Sequence, residues 1–225
     1  QNQFNGNRMQ VMIGIRGQVL APYYKGWGAA TVNEKLYQSY APGDTRQFAS
    51  VISIDGEHFS DLYDKADQAM YTGYFCKKYT PLKDKNADDL GGSFQWDNFD
   101  NYMVIRFADV LLMGAELNLG ADAAKAQGYL DRVRDRAFGD QAHRITLTSK
   151  AQIMQERRLE LALEGQRYWD LLRQGISVAK QAIDNASSQP AFNVSFRAET
   201  NGLFAIPETQ INLSNGPLPH HTGWE

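Results

Sequence analysis

The chain has 225 residues, 43% of them hydrophobic, and a formal net charge of −3. That is enough apolar material for a sizeable core in one domain, and the weakly acidic balance excludes the basic footprint of a nucleic-acid binder. No 18-residue apolar run is present to span a bilayer, and the single cysteine, Cys76, excludes an internal disulfide and a cysteine-based zinc cage.

The first ten residues lack the charged start and apolar centre of a signal peptide. Met9 to Ile15 reads as a short strand or a buried segment, because so short an apolar run is ambiguous. RGQVLAPYYKGWGAAT follows, and its glycines and proline predict a loop carrying Tyr23, Tyr24 and Trp27. Thr31 with Glu34 predicts a capping box and a short helix to about Tyr40. Gln47 to Ile54 reads as a strand, Asp55-Gly56 as a hairpin turn and Gly73 to Tyr79 as extended. KDKNADDLGG, residues 83–92, reads as an exposed loop. A second aromatic–polar cluster follows it, with Phe94, Trp96, Phe99 and Tyr102 among Asp97, Asn98 and Asn101.

The second half is helical. Apolar residues surround the segment from about Ile105 to Leu119, which predicts a central helix stopped by Gly120. Ala123, Ala126, Leu130, Val133 and Ala137 form one stripe, so the next helix packs one-sidedly and ends at Gly139. These adjacent helices with small facing residues predict an antiparallel hairpin of helical-repeat type. Ser149 and Gln152 form a capping-box pattern that opens one continuous helix of about 25 residues to Gly175. Gly165 inside it calls for a close backbone neighbour. A short helix to about Ile183, strands at Ala191–Arg197 and Phe204–Ile206, and an irregular tail complete the reading. The fold class expected is α+β and predominantly α-helical, with long loops and a few short strands, in a single domain over residues 1–225.

Glu156, Glu160 and Glu164 recur four residues apart beside Arg157, Arg167 and Asp170. Paired carboxylates could do glycosidase-like acid/base work, but opposite charges at helical spacing favour a structural ion-pair lattice. Cys76, between an aromatic and two lysines, reads as a small filler. His220 and His221 are neighbours on an extended tail and point apart, and no nucleophile elbow, phosphate loop or dinucleotide fingerprint is present. No metal and no cofactor is therefore expected. The aromatic loops carry the functional reading: a pyranose ring needs a flat apolar surface for its C–H face and polar groups for its edge. Tyr23, Tyr24, Trp27, Trp96 and Asn98 are the candidate glycan-binding residues, against the alternative that the rings close the core.

ERRLELALEGQRYWDLLRQG, residues 156–175, resembles the signature helix of the SusD/RagB family of surface nutrient-binding lipoproteins. NYMVIRFADVLLMGAELNLG, LDRVRDRA, LFAIPETQINLSNGPL, TVNEKLYQSYAPGDTR and GYFCKKYTP resemble other family blocks in the same order. Gly114 departs from the larger residue usual there, which predicts looser packing. The resemblance implies a SusD-like fold with a TPR-like hairpin, in the C-terminal part of a longer protein. It also implies non-catalytic capture of an oligosaccharide at the outer-membrane surface. Delivery would be to a SusC-like TonB-dependent transporter, with a lipid anchor lying outside this chain. The rival readings are a peptide-capturing family member, a helical-repeat protein-interaction module and a glycosidase.

Overall fold

A computed structural model describes residues 8–65, 68, 70–97, 99, 101–187, 189–216 and 218–224. Residues 1–165 form one compact unit and residues 166–225 a second.

The first unit begins with α1 (Met9–Ile13) and β1 (Ile15–Arg16), so the ambiguous apolar start is mostly helix. After a loop, β2 (Lys25–Gly26) pairs in parallel with β1, Ile15 opposite Lys25 and Arg16 opposite Gly26. The backbones approach closely: a Cβ on Gly26 would lie 2.7 Å from both the Gly14 backbone and the Val11 carbonyl oxygen. Only glycine fits there.

α2 (Glu34–Tyr37) is capped by Asn33, whose side chain accepts from the Lys35 N–H, and not by Thr31. The expected strand at Gln47–Ile54 is instead α3 (Thr45–Ser50) followed by β3 (Val51–Ser53). Asp44 decides this, because its carboxylate accepts from the Arg46 N–H at 3.0 Å and so caps the helix. β3 pairs antiparallel with β4 (Tyr74–Cys76), Ile52 opposite Phe75, so Asp55-Gly56 closes no tight hairpin. Around these strands Ile15, Leu20, Tyr23, Ile52, Ile54, Phe59, Tyr63 and Phe75 form the loop-side core.

α4 (Phe107–Asn118) and α5 (Ala123–Phe138) form the expected hairpin. Asp122 caps α5, Gly139 ends it at φ 76°, and Ala126, Leu130, Val133 and Ala137 are its buried stripe. α4 is less central than its composition implies. Leu111, Leu112 and Ala115 are buried, whereas Phe107, Val110, Met113 and Leu117 are exposed. Gly114 does not loosen the packing: the Tyr129 ring lies 3.0 Å from where its Cβ would be.

α6 (Lys150–Glu160) opens as read, with Gln152 Oε1 accepting from the Ser149 and Thr148 N–H groups at 3.0 and 2.7 Å. It does not continue to Gly175. Leu163 takes φ 66° and Gly165 φ 79°, and the chain turns before α7 (Arg167–Leu172). The reason is tertiary. The terminal carbonyls of α6 are taken by side chains from elsewhere: Tyr40 Oη donates to Leu159 O at 3.0 Å, and Lys78 Nζ (2.9 Å) and Arg106 Nη2 donate to Glu160 O. Gly165 is needed for its positive φ, with the Tyr102 hydroxyl 3.3 Å from its would-be Cβ.

In the second unit, α7, α8 (Ile176–Asp184) and Phe196 share a small core of Leu171, Ala179 and Phe196. The strand expected at Ala191–Arg197 is absent: Pro190–Phe192 is a 3₁₀ turn, and the Phe196 N–H is bound by Asp184 Oδ1 at 2.7 Å and not by a neighbouring strand. Phe204–Ile206 is also irregular, and α9 (Glu208–Leu213) lies in the tail. Among the described residues no helix is long and apolar enough to cross a membrane.

Candidate functional site

The glutamates of α6 and the turn after it form an ion-pair lattice, but their partners are not the helical neighbours. Arg46 Nη1 binds Glu156 at 2.6 Å and Glu160 at 3.2 Å, while its Nε and Nη2 grip Asp44 at 2.8 and 2.7 Å. Arg134 takes the other Glu156 oxygen at 2.7 Å. Arg106 spans Glu160 Oε1 (2.5 Å) and Glu164 Oε2 (2.7 Å), Lys78 reaches Glu164, and Arg136 reaches Glu160. Arg157 pairs with Asp109 on α4 at 2.6 Å.

Burial alone would raise the Glu160 pKa. The hydrogen bond from Arg106 and the charges of Arg136, Arg106 and Arg46 outweigh it and hold Glu160 below the usual carboxylate range. Burial also lowers the Lys78 pKa, against the pull of Glu164. A glycosidase acid needs the opposite shift, a carboxyl kept protonated near neutrality. The roughly 270 Å³ cavity beside the lattice is lined by these same committed charges, Arg46, Lys78, Arg106, Arg136, Glu160 and Glu164 among them.

The aromatic loops are organised differently. In extended chain, successive side chains point to opposite sides, and Tyr23 and Tyr24 separate accordingly. Tyr23 is 3% exposed, packs edge-on against Phe59 and donates to Glu57 at 2.5 Å. Burial and Glu57 raise its pKa. Its ring has no face to offer a ligand, so the site assignment of Tyr23 is corrected to a core residue. Tyr24 is half-buried, meets Phe94 edge-on at 6.1 Å and donates to Asp88 Oδ2 at 3.0 Å. Burial and then Asp88 raise its pKa.

Asp88 joins the two loops. Its Oδ1 accepts the Phe94 N–H at 3.0 Å, and Lys25 Nζ stands 4.0 Å from its Oδ2 and 4.7 Å from the Phe94 ring centre. Asp97 secures the second loop by accepting the Ser93 N–H at 2.9 Å. Trp27 is held by its N–H to the Val11 carbonyl at 2.6 Å, next to the close Gly14–Gly26 contact. The Arg8 guanidinium lies 3.6 Å from the centre of the Trp96 ring and 5.5 Å from that of Trp27. Tyr24 thus pairs with Phe94, and Trp27 and Trp96 meet across Arg8. Asn98 lies outside the described residues. Beneath the second loop a cavity of about 80 Å³ touches Gln10, Asn86, Phe94 and Asp97, and the buried Asp97 Oδ1 makes no hydrogen bond.

Sequence reasoning left Arg8, Lys25, Asp88 and Phe94 off the candidate list. Phe94 was visible in the aromatic cluster. Asp88 lies in a stretch that reads as an exposed loop, and its link to the first aromatic loop is a contact across 64 residues.

The described residues thus combine a helical hairpin, short strands and ring-bearing loops with a charge-locked frame. The SusD family profile matches residues 53–218, and the chain belongs to the SusD family. "SusD-like protein P2" of Formosa agariphila is 25% identical over 222 residues, covering 94% of this chain and 43% of that protein. Among solved structures, a "Laminarin binding SusD-like protein" is 30% identical with a TM-score of 0.77, over 99% of this chain and 47% of its own. Surface glycan-binding protein A from Bacteroides thetaiotaomicron, in complex with laminarihexaose, is 25% identical with a TM-score of 0.76, over 96% and 46%. The chain therefore spans less than half the length of these relatives.

Proposed function

We propose that this chain is part of a non-catalytic surface protein that captures an oligosaccharide on its aromatic loops. The delivery partner is a SusC-like TonB-dependent transporter at the outer membrane, with membrane attachment through a lipid anchor outside these residues. The observation that carries the reading is two groups of loop-borne rings with polar partners, Tyr24 and Phe94 beside Lys25 and Asp88, and Trp27 and Trp96 beside Arg8. The names of the laminarin- and laminarihexaose-binding relatives support a glucan of that type as the ligand.

The chemistry follows from the residues. A pyranose lays its C–H face on an indole, and Asp88 accepts from its hydroxyl edge. Arg8, 3.6 Å from the Trp96 ring centre, donates to a second hydroxyl. Lys25 is charge-matched by Asp88, which suits a neutral sugar. No bond is broken.

Calorimetry with laminarihexaose tests this. Binding is expected for the 225-residue chain, with roughly a two- to tenfold loss in Trp96→Ala, the scale of one aromatic contact. Chromatography of the sugar after long incubation should show it intact. Shortened products, or binding of peptides with none of any glycan, would overturn the proposal.

A further inference from the structure

We propose that the cavity beside the α6 lattice binds a small carboxylate, with Arg136 and Lys78 as its charged contacts. The proposal is independent of the glycan reading.

Among the described residues, the lattice joins the cations Arg46, Lys78, Arg106, Arg134 and Arg136 to the carboxylates of Asp44, Glu156, Glu160 and Glu164. One positive charge therefore has no counterpart within the lattice. A cleft lined by an excess of one sign draws ions of the other.

The excess lies at one edge. Arg46 and Arg134 are turned inward and largely covered, whereas the Arg136 side chain is 56% exposed. Arg136 uses Nη2 on Glu160, and its Nε and Nη1 have no acceptor among the described residues. Lys78 donates to Glu160 O at 2.9 Å and to Glu164 Oε1, which leaves its ammonium a further N–H. Both side chains line the cavity.

The two glutamates on the same wall present no bare negative charge. Glu160 accepts from Arg46, Arg106 and Arg136, and Glu164 from Lys78 and Arg106. Tyr79 and Met103 add a less polar wall, beside which a charge–charge contact is screened less than in open water. A volume of about 270 Å³ lies just under the range of about 300–1,000 Å³ usual for ligand pockets, so it suits one sugar acid or a smaller molecule. A single unmatched cation also fits a monovalent carboxylate better than a doubly charged phosphate, which would bring a second charge to be neutralised.

Calorimetry of the 225-residue chain with sodium glucuronate tests this, with glucose as the neutral counterpart. Glucuronate should bind in the millimolar range and more weakly as sodium chloride is added, and glucose should bind more weakly still. Arg136→Gln should weaken glucuronate binding by roughly tenfold or more, the scale of one charge-assisted contact, and Arg136→Lys should restore part of it. Lys150→Gln, which removes an exposed cation at the other end of α6, is the control and should bind as wild type does. Urea midpoints confirm that each variant is folded, and Arg136→Lys against wild type decides the matter if Arg136→Gln is not. Equal affinity of wild type and a folded Arg136→Gln would overturn the proposal. So would glucose binding as tightly as glucuronate, or no glucuronate binding at all.

Discussion

Two regions of the first unit solve opposite problems. The lattice around α6 holds its glutamates buried, and each of them meets at least two cations from other elements. The aromatic surface is half-buried, and single contacts position its rings. In a low-dielectric interior a charge left alone is costly, so the lattice tolerates no missing member. At a solvated surface each contact is weak, and one can be exchanged for a ligand. The comparison teaches that the conspicuous charges hold the first unit together, while the rings are held by contacts weak enough to be exchanged.

The sharpest break comes from Arg46→Ala. It strips Asp44, Glu156 and Glu160 of a shared buried partner and should cost about 3–5 kcal/mol in urea unfolding. A loss near that of an exposed pair would mean the lattice is hydrated. Glu160→Gln comes next, at about 3 kcal/mol, since it leaves Arg46, Arg106 and Arg136 short of charge.

The pH dependence of that pair sharpens the point. Glu160 is depressed in the fold, so its contribution is present above the unfolded carboxylate pKa of about 4.3 and lost as pH falls through the lower folded value. Wild type should therefore lose more of its urea midpoint between neutral and acid pH than Glu160→Gln does. Parallel acid limbs would show that Glu160 is not the linked group.

Gly165→Ala probes the turn after α6 and should cost about 1–2 kcal/mol, the penalty of a Cβ in left-handed backbone. A neutral or stabilising result would indicate a continuous helix in solution. On the other side of the comparison, Trp96→Ala should leave the melting temperature nearly unchanged while weakening glucan binding. Tyr23→Phe is its mirror image: loss of the Glu57 hydrogen bond should cost about 0.5–1.5 kcal/mol of stability with no change in affinity. Reduced affinity in a Tyr23→Phe variant that is still folded would return Tyr23 to the site.

Periodic signals were legible. The α5 stripe with its Asp122 and Gly139 ends, and the Ser149–Gln152 start of α6, depend on residues within a few positions, and the structure keeps them. The family blocks were equally readable and place the chain in the SusD family. Where competing local signals met a tertiary partner, the partner won. Gln47–Ile54 had strand composition, yet the Asp44 cap and the burial of Arg46 made its first part helical. Ala191–Arg197 alternated like a strand, yet the Phe196 N–H went to Asp184.

Sequence by itself determined that the glutamates must be paired, that two loops carry rings, and that two helices form a hairpin, because composition and helical spacing are local properties. Only the tertiary structure decided who the partners are. Arg46 is 110 residues from Glu156 and Arg106 is 54 from Glu160, so no helical spacing could reveal those pairs. The same holds for the rings: Tyr23 and Tyr24 are chemically equal neighbours, and one turned inward to Phe59 and Glu57 while the other met Asp88 and Phe94. Burial is a property of the space around a residue, and that space is filled by distant parts of the chain.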